Sequence, residues 1–298
     1  MSVMSSRLRF DVVIVGAGIA GASASWFLSR SDLSICVMDW RSWNELGDKP
    51  CADAIGKHHI ENLEIVKPSK DEVEGEIKGV IIYSPLEDSY IKIPGEGYEI
   101  NTPKYVKKLI SKAQDRGVTF LEKTKAIKPI IKNGFVKGVI AKRNGKELEI
   151  VADIVIDASG IAKVISRQLP DEWFVSELAS DEDINIAYRE ERIPKHQIDD
   201  PDWIRIYVNN KIAPGGYWWL FPKNKVNLIN VGLGVQGSRK GVNPKSQFYR
   251  YLVTRRELKD SILVKASGAP VPTRRPIPTF VWNGIAAVSY THLRAHET

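Results

Sequence analysis

The chain opens with a hydrophobic pattern typical of a strand, a tight turn and a helix. Residues 10–15 form a short apolar run rich in β-branched side chains, and a glycine-rich turn and a helix-like stretch to about Ser29 follow. A second apolar run at 33–38 predicts another buried strand, which ends at Asp39. The first forty residues therefore predict a strand, turn, helix and strand.

The pattern predicts an amphipathic helix over 103–117, opened by proline and closed by glycine. Strands are expected after it, at 118–121, at 135–143 before the turn Asn144-Gly145, and at 150–156. From about 170 to 267 the chain changes to aromatic-rich strands and irregular loops. This change indicates a second domain inserted into the first.

Composition narrows the class of protein. A hydrophobic fraction of 43% and a charged fraction of 27% over 298 residues are typical of a soluble globular protein. The formal net charge of +7 suggests an anionic partner, but no nucleic-acid-binding motif accompanies it. With only two cysteines no disulfide framework is expected, which favours the cytoplasm.

The apolar N-terminal stretch is not expected to cross a membrane. Asp11 interrupts its start, three glycines break it, and it is marginal for the roughly 20 residues that a bilayer requires. Any membrane contact is therefore expected to be peripheral.

The turn after the first strand carries the spacing G-x-G-x-x-G. Gly16 permits the tight turn, Gly18 lets a pyrophosphate approach the backbone, and Gly21 allows the helix to pack closely on the strand. Asp39, 18 residues beyond Gly21, stands near the spacing at which an acid binds an adenosine ribose. Together these residues predict a dinucleotide site.

A second G-x-G-x-x-G occurs at 232–237, but its context differs. The residues that follow, 238–244, do not open an apolar-periodic helix, and no strand-ending acid comes at the required distance. We expect a strand with a bulge or turn there, without a second nucleotide.

The segment 214–222 places four large rings, Tyr217, Trp218, Trp219 and Phe221, between turn residues. Aromatic rings bury large apolar areas and suit the wall of a cavity for an oily ligand. Ordinary core packing is the alternative interpretation.

Three motifs make the chain resemble the geranylgeranyl reductases, flavoproteins with a fold of the p-hydroxybenzoate hydroxylase type. They are the glycine motif with Asp39, the C-x-x-x-x-G loop at 51–56, and P-x-x-Y-x-W-x-F-P at 214–222. The resemblance covers about residues 8–288. The archaeal enzymes of this family saturate the isoprenoid chains of membrane lipids.

The resemblance implies an α/β (α+β) architecture, with a Rossmann-like FAD-binding domain and an inserted antiparallel-sheet substrate domain. The implied FAD-binding domain takes 1–83, 102–170 and 270–288, and the substrate domain takes 84–101 and 171–269. The residues implied at the cofactor are Gly16, Gly18, Ala20, Gly21, Asp39, Cys51, Ala52, Ala126, Asp157 and Gly160.

The implied reaction is hydride transfer from reduced flavin to the C=C bonds of geranylgeranyl chains, in archaeal ether lipids or prenyl precursors. Ferredoxin or NAD(P)H is the implied electron donor. Cys51, Tyr217 and Trp219 are the expected catalytic residues, and Tyr217, Trp218, Trp219 and Phe221 the expected substrate contacts. Cys51 is interpreted either as a thiol made reactive by its cationic surroundings or as a small spacer beside the flavin.

Two alternatives to this reaction are kept. A flavin-dependent monooxygenase or halogenase would show a nearly identical cofactor half. In the second alternative, the chain is an inactive fragment that binds prenyl lipid.

The sequence departs from the family pattern at two places. Thr102 stands where many relatives have an arginine before the amphipathic helix, and residues 289–298 replace the expected Gly-Asp-Ala-Ala continuation. We interpret 289–298 as a non-native tail, and we expect weakened FAD binding. The spacing of His292 and His296 would suit a metal, but no further ligands accompany them, and no metal is expected.

Overall fold

The protein is described here from a computed structural model, which describes residues 6–239, 241–274, 277 and 279–288. Its strands are, in chain order, β1 (Ser6–Val15), β2 (Ile35–Met38), β3 (Ala54–Gly56), β4 (Val73–Tyr83), β5 (Tyr90–Ile100), β6 (Thr119–Leu121), β7 (Thr124–Lys132), β8 (Phe135–Arg143), β9 (Lys146–Asp157), β10 (Ile184–Ile193), β11 (Trp203–Tyr207), β12 (Trp218–Lys223), β13 (Leu228–Gln236), β14 (Ile262–Pro272), β15 (Val281–Trp282) and β16 (Ile285–Ala287). The α-helices are α1 (Ile19–Leu28), α2 (Lys57–Asn62), α3 (Thr102–Gln114) and α4 (Pro244–Tyr251).

The chain divides into two compact units. Unit 1 consists of Met1–Lys49, Thr102–Leu178 and Arg274–Thr298, and unit 2 of Pro50–Asn101 and Ala179–Thr273. The sequence had led us to expect 50–83 with the cofactor domain. The structure places it in unit 2, because β4 pairs with β5 and β11, and β3 pairs with β5.

Unit 1 is built on a sheet of order β15-β16-β9-β1-β2-β6, in which β16, β9, β1, β2 and β6 run parallel. β7 and β8 extend β9 as an antiparallel meander. Because side chains alternate along a strand, Val13 and Val15 face a buried core that includes Cys36, Leu148 and Val155. This is the parallel α/β arrangement that the N-terminal pattern predicted.

Unit 2 is a mixed sheet of order β14-β10-β13-β12-β11-β4-β5-β3. Its neighbouring strands pair antiparallel, except that β11 and β4 run parallel. β12, which carries the aromatic motif, lies between β11 and β13 near the middle of the sheet, and all six of its residues are buried. The expectation of an aromatic-rich, mainly antiparallel sheet is confirmed.

The helices agree with the sequence in one case and correct it in another. α3 confirms the amphipathic helix, since its apolar residues, including Val106, Leu109 and Ile110, are buried. α4 begins at Pro244, although no helix was expected so soon after the second glycine motif. The side chain of Asn243 caps it by accepting from the Ser246 amide, and the buried ring of Phe248 anchors it. Among the described residues, no helix is both long and apolar enough to span a bilayer.

Candidate functional site

The glycine loop of unit 1 is shaped by two steric requirements. Gly16 has a φ of +99°, and a Cβ there would lie 2.6 Å from the carbonyl oxygen of Ala158. A Cβ on Gly21 would lie 1.9 Å from the Gly16 carbonyl oxygen. Gly18, by contrast, has nothing within 4 Å of its Cβ position. The loop is therefore closed against its own chain at Gly16 and Gly21 and open at Gly18.

Open space in front of Gly18 suits the approach of a pyrophosphate. Gly18 is the N-cap of α1, and no side chain caps this helix end. The first amides of a helix have no partner within the helix, and the helix dipole favours an anion there. Ala20, half-buried in the first turn, lies at the same helix end. The residues present fit the diphosphate of a dinucleotide.

Asp39, the residue that follows β2, holds the glycine loop. Its carboxylate accepts from the Ala17 amide at 2.8 Å and from the Arg41 amide at 2.8 Å. Its backbone carbonyl accepts from Thr124, the first residue of β7, which carries the buried Ala126. Asp39 thus fixes the glycine loop through the Ala17 amide. The spacing between Gly21 and Asp39 did not indicate this contact.

Asp157 organises the loop that crosses Gly16. One carboxylate oxygen accepts from the amide and hydroxyl of Ser159, and the other from the amides of Ile165 and Ser166. Gly160 begins a short 3-10 helix within this loop, with a φ of +71°. The four bonds hold residues 158–166 in place, so Asp157 acts on the glycine loop through Ala158.

Unit 2 contains the loop at 50–53, here called the Cys51 loop. Cys51 is exposed, while the carboxyl-bearing Asp53 is buried. The Asp53 amide donates to the Cys51 sulfur at 3.4 Å, and the Asp53 carbonyl accepts from Ile100 at 3.0 Å. The loop continues into β3, which pairs with β5. It is therefore attached to the edge of the sheet with its thiol at the surface.

A buried apolar cluster lies beside this loop. Trp219 and Phe221 form it together with Ile77 and Ile204, and Ala52 and Tyr217 pack against it. We call it the Trp219 cluster. The ring centroids of Tyr217 and Trp219 are 6.0 Å apart in an edge-to-face arrangement. The structure thus brings together four of the residues predicted from two separate motifs: Ala52, Tyr217, Trp219 and Phe221.

Trp218 lies on the opposite face of the sheet from Trp219. Strand alternation turns it toward Tyr207, on which it stacks at 3.6 Å between centroids. The Arg255 guanidinium lies 4.4 Å from the centroid of the Trp218 ring. Its indole nitrogen donates to Glu87. The four rings of the motif therefore do not line one wall, and Trp218 belongs to the core of the other face.

Asn230 of β13 joins the Cys51 loop to Trp219. It is fully buried, its side-chain nitrogen donates to the Cys51 carbonyl at 2.9 Å, and its side-chain oxygen accepts from the Trp219 indole at 3.1 Å. Nothing in the local sequence of Asn230 marks it as a residue that pairs 179 positions away, so it is not predictable from the sequence.

The second glycine motif is the strand β13, as expected. A Cβ on Gly232 would lie 2.4 Å from the Trp219 ring and 2.7 Å from the Tyr188 carbonyl oxygen. Gly232 therefore provides the flat surface on which the indole of Trp219 rests. This explains Gly232 without a nucleotide.

Lys223, the residue after the aromatic motif, is at the centre of a buried group of charges that we call the Lys223 cluster. Its ammonium lies 2.8 Å from Glu74, 2.8 Å from Glu191 and 3.2 Å from Asp53. Burial by itself lowers the pKa of Lys223, but the three carboxylates raise it, and the net direction is upward. Lys223 is therefore charged at any ordinary pH.

Glu99 of β5 completes the Lys223 cluster and differs from the other acids. It is fully buried, and neither of its carboxylate oxygens has a hydrogen-bond partner among the described residues. Burial raises its pKa well above the usual range, Lys223 opposes this, and the charges of Asp53, Glu74 and Glu191 add to it. The raised pKa favours the neutral form of Glu99, and the sequence did not single this residue out.

No group of three or more His, Cys, Asp or Glu side chains able to hold a metal occurs in the part of the chain that the structure describes. His292 and His296 lie outside the described residues.

Comparison with known proteins places this geometry in a family. The model of the family "Pyridine nucleotide-disulphide oxidoreductase" matches residues 10–194, and that of "Geranylgeranyl reductase catalytic domain" matches 183–271. The first match contains the glycine loop, and the second contains β12, β13 and Asn230. The fold of unit 1 and its glycine loop thus define the class of protein, an oxidoreductase with a dinucleotide-binding fold.

The similar curated proteins are more specific. A digeranylgeranylglycerophospholipid reductase of Sulfolobus acidocaldarius is 40% identical over 285 residues, which are 95% of this chain and 63% of that protein. The same enzyme of Methanothrix thermoacetophila is 31% identical, with 94% of this chain and 70% of the relative covered. The chain belongs to the digeranylgeranylglycerophospholipid reductase family. It spans somewhat less than two thirds of the length of the Sulfolobus relative.

Solved structures show the same fold. A geranylgeranyl bacteriochlorophyll reductase-like protein from Thermoplasma acidophilum matches with a TM-score of 0.87 and 24% identity, over 96% of this chain and 72% of that one. A myxobacterial chondrochloren halogenase, described as FAD-dependent, matches with a TM-score of 0.76 and 15% identity, over 96% and 69%. At these identities the likeness establishes the architecture alone.

Proposed function

We propose that the chain is part of an FAD-dependent reductase that saturates the C=C bonds of geranylgeranyl chains in isoprenoid ether lipids or prenyl precursors. The observation that carries the proposal is the junction of the Cys51 loop with the Trp219 cluster through Asn230. Family membership supports it, since the curated relatives are named as reductases of a digeranylgeranyl lipid.

FAD is the cofactor in this proposal, and unit 1 supplies its diphosphate site. The open face at Gly18 and the N-terminal amides of α1 would hold the pyrophosphate, and Asp39 would face the ADP moiety. When bound and reduced, the flavin supplies the hydride. Ferredoxin or NAD(P)H supplies the electrons to it, and reduction of the flavin by each donor in anaerobic solution identifies which one.

An isolated alkene needs a proton as well as a hydride, and no neighbouring carbonyl can absorb charge. Cys51 can carry that proton on its exposed sulfur, next in sequence to Ala52 of the Trp219 cluster. The hydrogen bond from the Asp53 amide would stabilise the thiolate left after the proton is transferred. The apolar residues Ile77, Ile204 and Phe221 exclude water from the neighbouring face. The rings of Tyr217 and Trp219 present π faces to positive charge that develops on the alkene.

The test is a count of double bonds. The protein, FAD, dithionite as reductant and a digeranylgeranyl glycerophospholipid are incubated without oxygen, and the lipid is analysed by mass spectrometry. Gain of hydrogen without oxygen or halogen supports the proposal. Incorporation of oxygen or halogen when air and halide are added indicates the monooxygenase or halogenase alternative, and lipid binding without a flavin spectrum indicates a binding fragment.

Access to a membrane lipid is proposed to involve the lysines of α3. Because the apolar face of α3 is buried, Lys104, Lys107, Lys108 and Lys112 lie on its outer side. Such a face attracts anionic headgroups, with a contribution of about 1 kcal/mol for each lysine near the surface. Cosedimentation with anionic vesicles, but not with neutral ones, is expected, and a Lys104→Glu, Lys112→Glu variant should lose it.

A further inference from the structure

The backbone of the Cys51 loop adopts a conformation that needs support. Asp53 has a φ of +70°, in the left-handed region that residues with a Cβ rarely occupy. In this conformation its amide lies toward the Cys51 sulfur, at 3.4 Å. The contacts that hold Asp53 in this conformation therefore also position the amide that donates to the Cys51 sulfur.

Lys223 contacts the Asp53 side chain directly. An ammonium has three donors, and those of Lys223 go to Asp53, Glu74 and Glu191. Lys223 and Asp53 are both buried, so their attraction is weakly screened by solvent. The rigid strands β12, β4 and β10 carry Lys223, Glu74 and Glu191, and they therefore hold the loop at a defined point.

The same contact has an electrostatic consequence for the thiol. A carboxylate two residues from a cysteine disfavours the thiolate, and a neighbouring cation favours it. The charged or titratable groups near Asp53 include Lys223, Glu74, Glu191 and Glu99, and Arg189 pairs with Glu191 at 2.8 Å. Lys223 is thus a cation that offsets the Asp53 carboxylate.

We propose that Lys223 is a positioning residue for Cys51: its ammonium holds Asp53 in the left-handed conformation that directs an amide at the sulfur, and it offsets the Asp53 charge. This inference rests on the proposed function only in so far as the positioning of Cys51 matters for alkene reduction. The effect on the thiol itself is measurable without substrate or flavin.

The experiment follows alkylation of Cys51 by iodoacetamide across a range of pH, read by peptide mass spectrometry. In Lys223→Met the midpoint of the alkylation profile should move to higher pH, and the rate below it should fall by roughly threefold or more. Lys223→Arg keeps a cation, so the midpoint of its alkylation profile should stay close to that of the unsubstituted protein. Lys225→Met is the matched control, since Lys225 lies two residues away in an exposed pair with Glu76.

Cys36 reports whether each variant is folded. It is buried in β2, and burial raises its pKa to about 12, so it should not react in the folded protein. If Lys223→Met alone unfolds, Lys223→Met with Glu191→Gln removes one acid together with the cation, and the same upward shift is expected.

A wild-type alkylation profile in folded Lys223→Met, or in the folded double variant Lys223→Met with Glu191→Gln, would overturn the proposal. So would a shift of equal size in Lys225→Met. Failure of the proposed function looks different: full alkene reduction by Cys51→Ala would remove the catalytic role of the thiol, and the alkylation profiles of the Lys223 variants would still stand.

Discussion

The side chain of Asn230 donates to the carbonyl of Cys51 at 2.9 Å, across 179 positions of sequence. The oxygen of the same side chain accepts from the Trp219 indole. One buried amide therefore joins the exposed thiol loop to the aromatic motif.

Asn230→Ala should lower the free energy of unfolding by about 1–3 kcal/mol, because the Trp219 indole nitrogen loses its partner in a buried place and the Cys51 carbonyl loses its partner in a part-buried one. Urea denaturation measures this. Asn224→Ala is the control, because Asn224 is exposed and water can replace its hydrogen bonds. Equal losses in the two variants would show that the Asn230 junction has no special weight.

Gly232→Ala should destabilise the protein by about 1–3 kcal/mol, since the new Cβ would meet the Trp219 ring and the Tyr188 carbonyl. It should also change the tryptophan fluorescence. Gly234→Ala is the matched control in the same strand, with its nearest contact at 3.9 Å. If both variants unfold at the temperature of the unsubstituted protein, the indole does not rest on Gly232.

Glu99→Gln should change how stability depends on pH. Glu99 has a raised pKa in the folded state, so above its ordinary pKa the unfolded chain ionises while the folded chain keeps the proton. Stability therefore falls as pH rises from that ordinary value toward the raised one. Glutamine removes this penalty, and the variant should gain stability relative to the unsubstituted protein at pH 8 more than at pH 4.

Thermal unfolding at both pH values measures the effect. Glu96→Gln, at an exposed salt bridge with Lys57, is the control and should show little gain. A loss of stability in Glu99→Gln that grows with pH would mean that Glu99 is ionised and paired.

Two glycines of the glycine loop should affect FAD binding and protein stability separately. Gly18→Ala adds a methyl group to open space, so the fold should keep its stability while FAD affinity falls at least about tenfold. Gly21→Ala should destabilise the protein itself, since its Cβ would overlap the Gly16 carbonyl. Fluorescence titration with FAD and thermal unfolding distinguish the two. Unchanged FAD affinity in Gly18→Ala would place the diphosphate elsewhere.

Local features of the fold were predictable from the sequence, because neighbouring residues determine them. The glycine loop, β13 at the second glycine motif and the amphipathic α3 follow from spacing and periodicity. The opposite placement of Trp218 and Trp219 was also accessible, since side chains alternate along a strand. The motif itself specifies which residues are aromatic and not which face of the sheet each ring occupies.

The remaining features depend on contacts between distant parts of the chain. The placement of 50–83 in unit 2 comes from the pairing of β4 with β11, and Asn230 and Lys223 reach the Cys51 loop from strands far along the sequence. The raised pKa of Glu99 follows from burial beside three acids on separate strands or loops. No local pattern encodes such a meeting, so only the structure shows it.

We propose that the Cys51 loop and the Trp219 cluster form a site for alkene reduction. The most direct test compares Cys51→Ala with the unsubstituted protein for FAD binding and for the number of double bonds removed from a digeranylgeranyl lipid. We expect FAD binding to be retained and alkene reduction to become much slower, because the loop keeps its backbone contacts and loses only the thiol. Unchanged reduction in Cys51→Ala would contradict the claim and leave Cys51 as a spacer.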